Sequence, residues 1–185
     1  MQNKKRISIK AIILVPVLIL GIIAIFSNAE AIANIRRVDA NAKEITDTYM
    51  VRISKLEQIQ RETQVIHRLA LSHIIATDME SMVNFVDTIR SEEELLDNGL
   101  EEYKQYLTEE DQEAYDQLIA SYDGMKYEIA DLLAFSAIGK KEDAYALANG
   151  KISDYSNSMQ KQIDTMVERA NEESSAATTQ LNETY

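Results

Sequence analysis

The sequence predicts an all-α protein: a transmembrane helix followed by an up-down four-helix bundle with two long and two short helices. Three observations carry that prediction. The 185 residues include only 5 Gly and a single Pro, Pro16, so the turn chemistry of loop-rich β folds is missing. An apolar run, Ala11 to Phe26, stands near the N-terminus without interruption. From Ile35 onward, apolar positions advance by threes and fours, the period of a helix with one buried stripe. The same composition narrows function. Without Cys there is no disulfide scaffold, thiol catalysis or thiolate metal site. A net charge of -12 lacks the basic footprint that nucleic acid requires.

The first element is the membrane helix, residues 7–26. At about 1.5 Å per residue this segment spans roughly 30 Å, the thickness of a bilayer core. Lys4, Lys5, Arg6 and Lys10 precede or flank it, and Glu30 is the first charge after it. The positive-inside rule then keeps residues 1–6 in the cytoplasm and places residues from about 27 onward outside the cell membrane. Ser27-Asn28-Ala29 and Ala29-Glu30-Ala31 are small-x-small patterns that a signal peptidase favours. Helix-compatible sequence runs straight through them, so an uncleaved anchor is expected.

The first long helix covers residues 27–77. Its stripe reads Ile35, Val38, Ala42, Ile45, Tyr49, Ile53, Leu56, Ile59, Thr63, Ile66, Ala70, His73 and Thr77. The stripe is narrow near the membrane and broadens after Val65, as expected of a stalk that enters a bundle. Thr77 and Asp78 are good N-caps for a second helix, about 79–107, with Ile89, Leu96, Leu100 and Tyr103 inward. Thr108-Glu109-Glu110-Asp111 resembles a capping box and opens a third, about 109–138. Gly139 fits the C′ position that ends it. The fourth runs about 141–184, with Ala144, Ile152, Met159, Ile163, Met166 and Leu181 along its stripe. Asn98-Gly99, Asp123-Gly124 and Asn149-Gly150 leave the stripes in phase, so they read as helical glycines, with a kink expected at Gly150.

Charge is uneven. Glu92 to Asp131 holds 14 acidic residues against Lys104 and Lys126, whereas Ser27 to Met79 carries seven of each sign. The acidic helices suit a solvated outer face. The neutral, Ala-containing stalk suits pairing with a second copy in a parallel homodimer. No catalytic constellation or cofactor motif is visible, and no enzyme is expected. His67 and His73 are six apart, so they do not share one helix face as an i, i+4 metal pair does.

This arrangement resembles the N-terminal part of a bacterial methyl-accepting chemotaxis protein, its first transmembrane helix and four-helix-bundle ligand-binding domain. Local echoes are Ile45-Thr46-Asp47-Thr48-Tyr49, Gly139-Lys140-Lys141-Glu142-Asp143-Ala144, and the exit Ala170-Asn171-Glu172-Glu173-Ser174-Ser175-Ala176-Ala177. The resemblance implies a small-molecule ligand at the distal bundle, often across a dimer interface, and a small axial displacement of the fourth helix. It also implies contact with a cytoplasmic kinase and coupling protein only through parts that this chain does not contain. The same module serves histidine kinases and cyclic-dinucleotide enzymes, and a single-pass helical adaptor is the reading from another class.

Candidate ligand-binding residues are the polar groups at or beside the distal stripe: Arg61, Gln64, His67, Arg68 and Ser72 on the first helix, Asn149 and Ser153 on the fourth. Arg61 and Arg68 are a heptad apart and suit a carboxylate. The family's amino-acid receptors use a third arginine that is missing here, so their specificity does not carry over. The competing expectation pairs both arginines with Glu57, Glu62 or aspartates. Thr63 and His73 are expected as buried polar residues that fix register.

Overall fold

The computed structural model describes residues 9–183, with side chains from 14 to 179 other than those of Glu44 and Thr46. Residues 1–6 with Lys4, Lys5 and Arg6, then Ile7, and the side chains of Lys10 and Leu181, lie outside the described residues. Among those described, every element is helical and no strand occurs.

Two rods and a hairpin make the molecule. The first rod is α1 (Ile9–Glu44), a wide π turn (Ile45–Met50) and α2 (Val51–Ile75), without a break in direction of the chain. A short extended bend leads to α3 (Met79–Tyr103), which tightens into a 3-10 turn over Lys104–Tyr106. The hairpin returns as α4 (Gln112–Ala137). The second rod is α5 (Lys141–Leu147), a second π turn (Ala148–Ile152) and α6 (Ser153–Glu183).

The apolar start of α1 has no protein around it. Every described side chain from Leu14 to Arg37 is exposed, including Leu20, Ile25 and Phe26. Among the described residues one helix, near the N-terminus, is long and apolar enough to cross a membrane, and none of its apolar window is buried. Such a surface is stable in a lipid core and costly in water. The helix also continues unbroken through the small-x-small patterns at 27–31.

Beyond it the stripes meet. Leu56, Ile59, Ile66 and Ala70 of α2 pack with Ile89 and Leu96 of α3, Leu118, Met125 and Leu132 of α4, and Met159, Ile163 and Met166 of α6. Backbones approach closely between α2 and α3, α2 and α6, and α4 and the second rod. Helices α3 and α4 stand further apart, with tyrosines between them. The Tyr115 and Tyr122 hydroxyls donate to the carbonyls of Leu100 at 2.8 Å and Glu93 at 3.2 Å.

Several expectations need correction. The seam of the first rod is in the expected phase from Leu56 to His73, but Arg52 is buried where Ile53 was expected, and Ile35, Ala42 and Thr77 are exposed. For Ile35 and Ala42 the π turn is the physical reason, because its wider winding shifts the phase of everything on its membrane side; Thr77 lies past the end of α2, in the extended bend. The third helix begins at Gln112, three residues later than expected, and the capping box is half formed. Thr108 Oγ1 accepts from the Asp111 amide at 3.3 Å, while the Asp111 carboxylate is drawn to two arginines instead. The caps at either end of the hairpin match expectation. Asp78 accepts from the Ser81 amide at 2.8 Å, and Gly139 takes φ +82°, a conformation in which other residues are strained. Gly99 and Gly124 sit inside helices, and Gly150 departs from helical geometry at φ -101°, ψ -107°, which is the expected kink.

Candidate functional site

The sequence-derived candidates divide into an outward face and an inward link. Arg61, Gln64 and Arg68 are exposed on one stripe of α2. Arg61 approaches only Glu57, at 3.9 Å on the same helix, a contact worth little at such exposure. Arg68 forms no ion pair among the described residues. Of the competing pairings only Arg61 with Glu57 occurs, and neither arginine pairs with Glu62 or an aspartate among the described residues. Glu62 is buried against α3 and is held by Gln58 at 2.8 Å.

His67 turns inward instead. It is half-buried, and its Nε2 lies 3.0 Å from the Ala148 carbonyl in the π turn of the second rod. A carbonyl only accepts, so Nε2 carries the proton. This bond ties the candidate face on α2 to the fourth helix beside the Gly150 kink. Ser72 and Asn149 are occupied by their own helices, donating to the carbonyls of Arg68 and Tyr145, each at 3.0 Å. Ser153 is half-buried just past the kink. The structure therefore sets Arg61, Gln64 and Arg68 together and connects them through His67 to the second rod. It does not bring Asn149 or Ser153 into a shared pocket with them. Thr63 is buried as expected, bonding back to the Ile59 carbonyl at 2.9 Å.

At the opposite end of the bundle lies a cluster that periodicity did not reveal. Asp111, fully buried in the hairpin loop, accepts from Arg52 Nη2 at 2.8 Å and from Arg169 Nη1 at 2.9 Å. Arg52 also binds Glu173, and Arg169 binds the Glu110 carbonyl. One loop carboxylate thus joins both rods. Burial opposes the Arg52 charge, but Glu173 and Tyr103 together more than offset it and the guanidinium pKa is raised. Burial also pushes the Tyr103 phenol up, with Arg52 pulling partly back. The usable sequence signal was spacing: Arg52 stands three after Tyr49 and four before Leu56, an inward position filled by a charge.

Between α3 and α4 an outer groove of about 240 Å³ is lined by Asp97, Glu101, Asp123, Tyr115 and Tyr122, and Lys126 fills part of it. Its ammonium lies 4.2 Å over the Tyr122 ring and 3.3 Å from Asp97. Among the described residues no cluster of three or more His, Cys, Asp or Glu has metal-site geometry.

No curated protein matches the chain. A family model described as a four helix bundle sensory module for signal transduction, the module of methyl-accepting chemotaxis transducers, matches residues 4–185. With nearly its whole length matched and its helices arranged as above, the chain belongs to that family of sensory modules.

Proposed function

We propose that this protein is the extracytoplasmic ligand-sensing domain of a chemoreceptor, anchored by α1 with its N-terminus in the cytoplasm. A small carboxylate-bearing molecule binds the outward face of α2 through Arg61, Gln64 and Arg68, with His67, Ser72, Asn149 and Ser153 at its margin. The observation that carries this reading is the heptad pair of exposed arginines that along α2 flank His67, whose ring reaches the second rod. A guanidinium without a partner at a distal bundle face is a ready carboxylate fork. A parallel homodimer covers the stalk and brings a second arginine pair near the first. Binding then displaces the fourth helix by about 1–2 Å, provided that the ligand favours one helix position over the other.

The test is thermal unfolding of the full chain in lipid nanodiscs against a panel of small mono- and dicarboxylates, amino acids and amines. A carboxylate that raises the midpoint for the wild type, and not for Arg61→Ala or Arg68→Ala, supports the site. Protection unaltered in both variants removes it, and protection by none of the panel favours a helical adaptor that binds a protein partner.

A further inference from the structure

At the far end of the bundle a neutral imidazole and an ammonium share one corner. His73 is 2 % exposed in the last turn of α2, and its Nδ1 has no hydrogen-bond partner. Its own carbonyl accepts from Ser136 Oγ of α4 at 3.2 Å. Lys141, the first residue of α5, donates from Nζ to the Ile74 carbonyl, to the Ala76 carbonyl at 3.0 Å and to Ser136 Oγ at 3.4 Å. The last carbonyls of a helix lack intrahelical partners, and a cation there also suits the helix dipole. Lys141 therefore fastens the end of the first rod to the start of the second, with Ser136 at the joint.

The charge that acts on the His73 ring is that Lys141 ammonium. Helix α4 contributes the neutral Ser136 hydroxyl, and no carboxylate of α3, α4 or α2 itself acts on the ring among the described residues. Burial first, and Lys141 second, hold the imidazole below its ordinary value of 6.5.

We propose that this corner is an acid-sensitive clasp, in which protonation of His73 expels the Lys141 ammonium and releases the end of the first rod from the start of the second. A buried imidazolium beside a second cation, with no acceptor at Nδ1, is relieved at least cost by the lysine, whose flexible stem reaches solvent. The carbonyls of Ile74 and Ala76 then lose their donor. The apolar core below, from Leu118 to Leu132, holds no part of this switch. The ligand of this site is the proton, and the inference stands apart from the carboxylate face.

Amide hydrogen exchange on the full chain in nanodiscs tests it, at about pH 7.5 and about pH 5.5 with intrinsic rates corrected. Protection over residues 74–80 and 138–144 falls in acid, by up to about tenfold at pH 5.5, one unit below the ring's ordinary value, while residues 118–132 hold theirs. In His73→Gln the tip no longer responds to acid. Should the glutamine variant not hold its bundle, Lys141→Met supplies the same decision: a tip that is loose at both pH values supports the clasp. Equal wild-type protection at both pH values overturns the proposal, as does an undiminished acid response in His73→Gln or Lys141→Met.

Discussion

Asp111, itself fully buried, holds two guanidinium groups, so its loss leaves the buried Arg52 with only Glu173, at the open edge, as counter-charge. Asp111→Asn is expected to cost about 3–5 kcal/mol of unfolding free energy, whereas Glu173→Gln, at the open edge of the cluster, costs about 1 kcal/mol. Chemical denaturation of both variants gives the comparison, and similar small losses would mean that the cluster is decorative. Two glycines make a second contrast. A Cβ on Gly124 meets the Tyr155 ring at 2.5 Å, while one on Gly99 finds its nearest neighbour, Glu62 Oε2, at 3.5 Å. Gly124→Ala is therefore destabilising by about 1–3 kcal/mol and relieved by Tyr155→Leu, whereas Gly99→Ala gains from helix propensity and is neutral or stabilising by up to about 1 kcal/mol. Melting midpoints of the three variants decide it. The Tyr155 contact was not legible in the sequence, and of the buried charges only Arg52 left a trace, in its spacing from Tyr49 and Leu56. An apolar stripe locates inward positions by hydrophobicity, so a charge or a glycine at such a position reads as surface or as a turn.

Acid acts on single elements in opposite directions. His73, on α2, has a folded pKa below its ordinary 6.5, so the unfolded chain takes the proton first; stability is full above about 6.5 and falls as the pH drops toward the folded value. Glu93, on α3, has its folded pKa raised by burial above 4.5, so its contribution is complete below the ordinary value and is lost as pH rises through the folded one. Glu93→Gln is expected to raise the melting midpoint at pH 7 and to abolish the gain that acid gives this residue; a midpoint lowered at pH 7 contradicts it. At this scale the sequence was informative. Steps of three and four along α4, Tyr115, Leu118, Tyr122, Met125, Ile129, Leu132 and Ser136, all fall on buried positions, while Ala114, Ser121 and Glu128 are buried beside them without being marked by hydrophobicity. The π turns were not legible, since Ile45–Met50 and Ala148–Ile152 carry no composition that distinguishes them from regular helix. Their tertiary partners, α6 for the first and His67 for the second, supply what the sequence does not state.

For the whole molecule, the division of surface follows the division of labour. The apolar start of α1 suits lipid, and the exposed faces of the hairpin carry the acidic charge that keeps them in water. Leu20→Arg, in the middle of the apolar segment, is expected to cost about 2.5–3.5 kcal/mol of membrane insertion and to move protein from the membrane to the soluble fraction. An unchanged membrane fraction would contradict the anchor. The candidate face was only partly legible, because a sequence shows which polar residues share a helix side but not that Ser72 and Asn149 are already engaged at home. Because the chain has no cysteine, single pairs can be introduced for spin labels without background. The most direct measurement is the distance between labels at Ala40 on the first rod and Thr178 on the second, taken in nanodiscs without and with a saturating carboxylate identified by thermal shift. Transmission by the fourth helix predicts a change of about 1–2 Å that disappears in Arg68→Ala. An unchanged distance at full occupancy would contradict it.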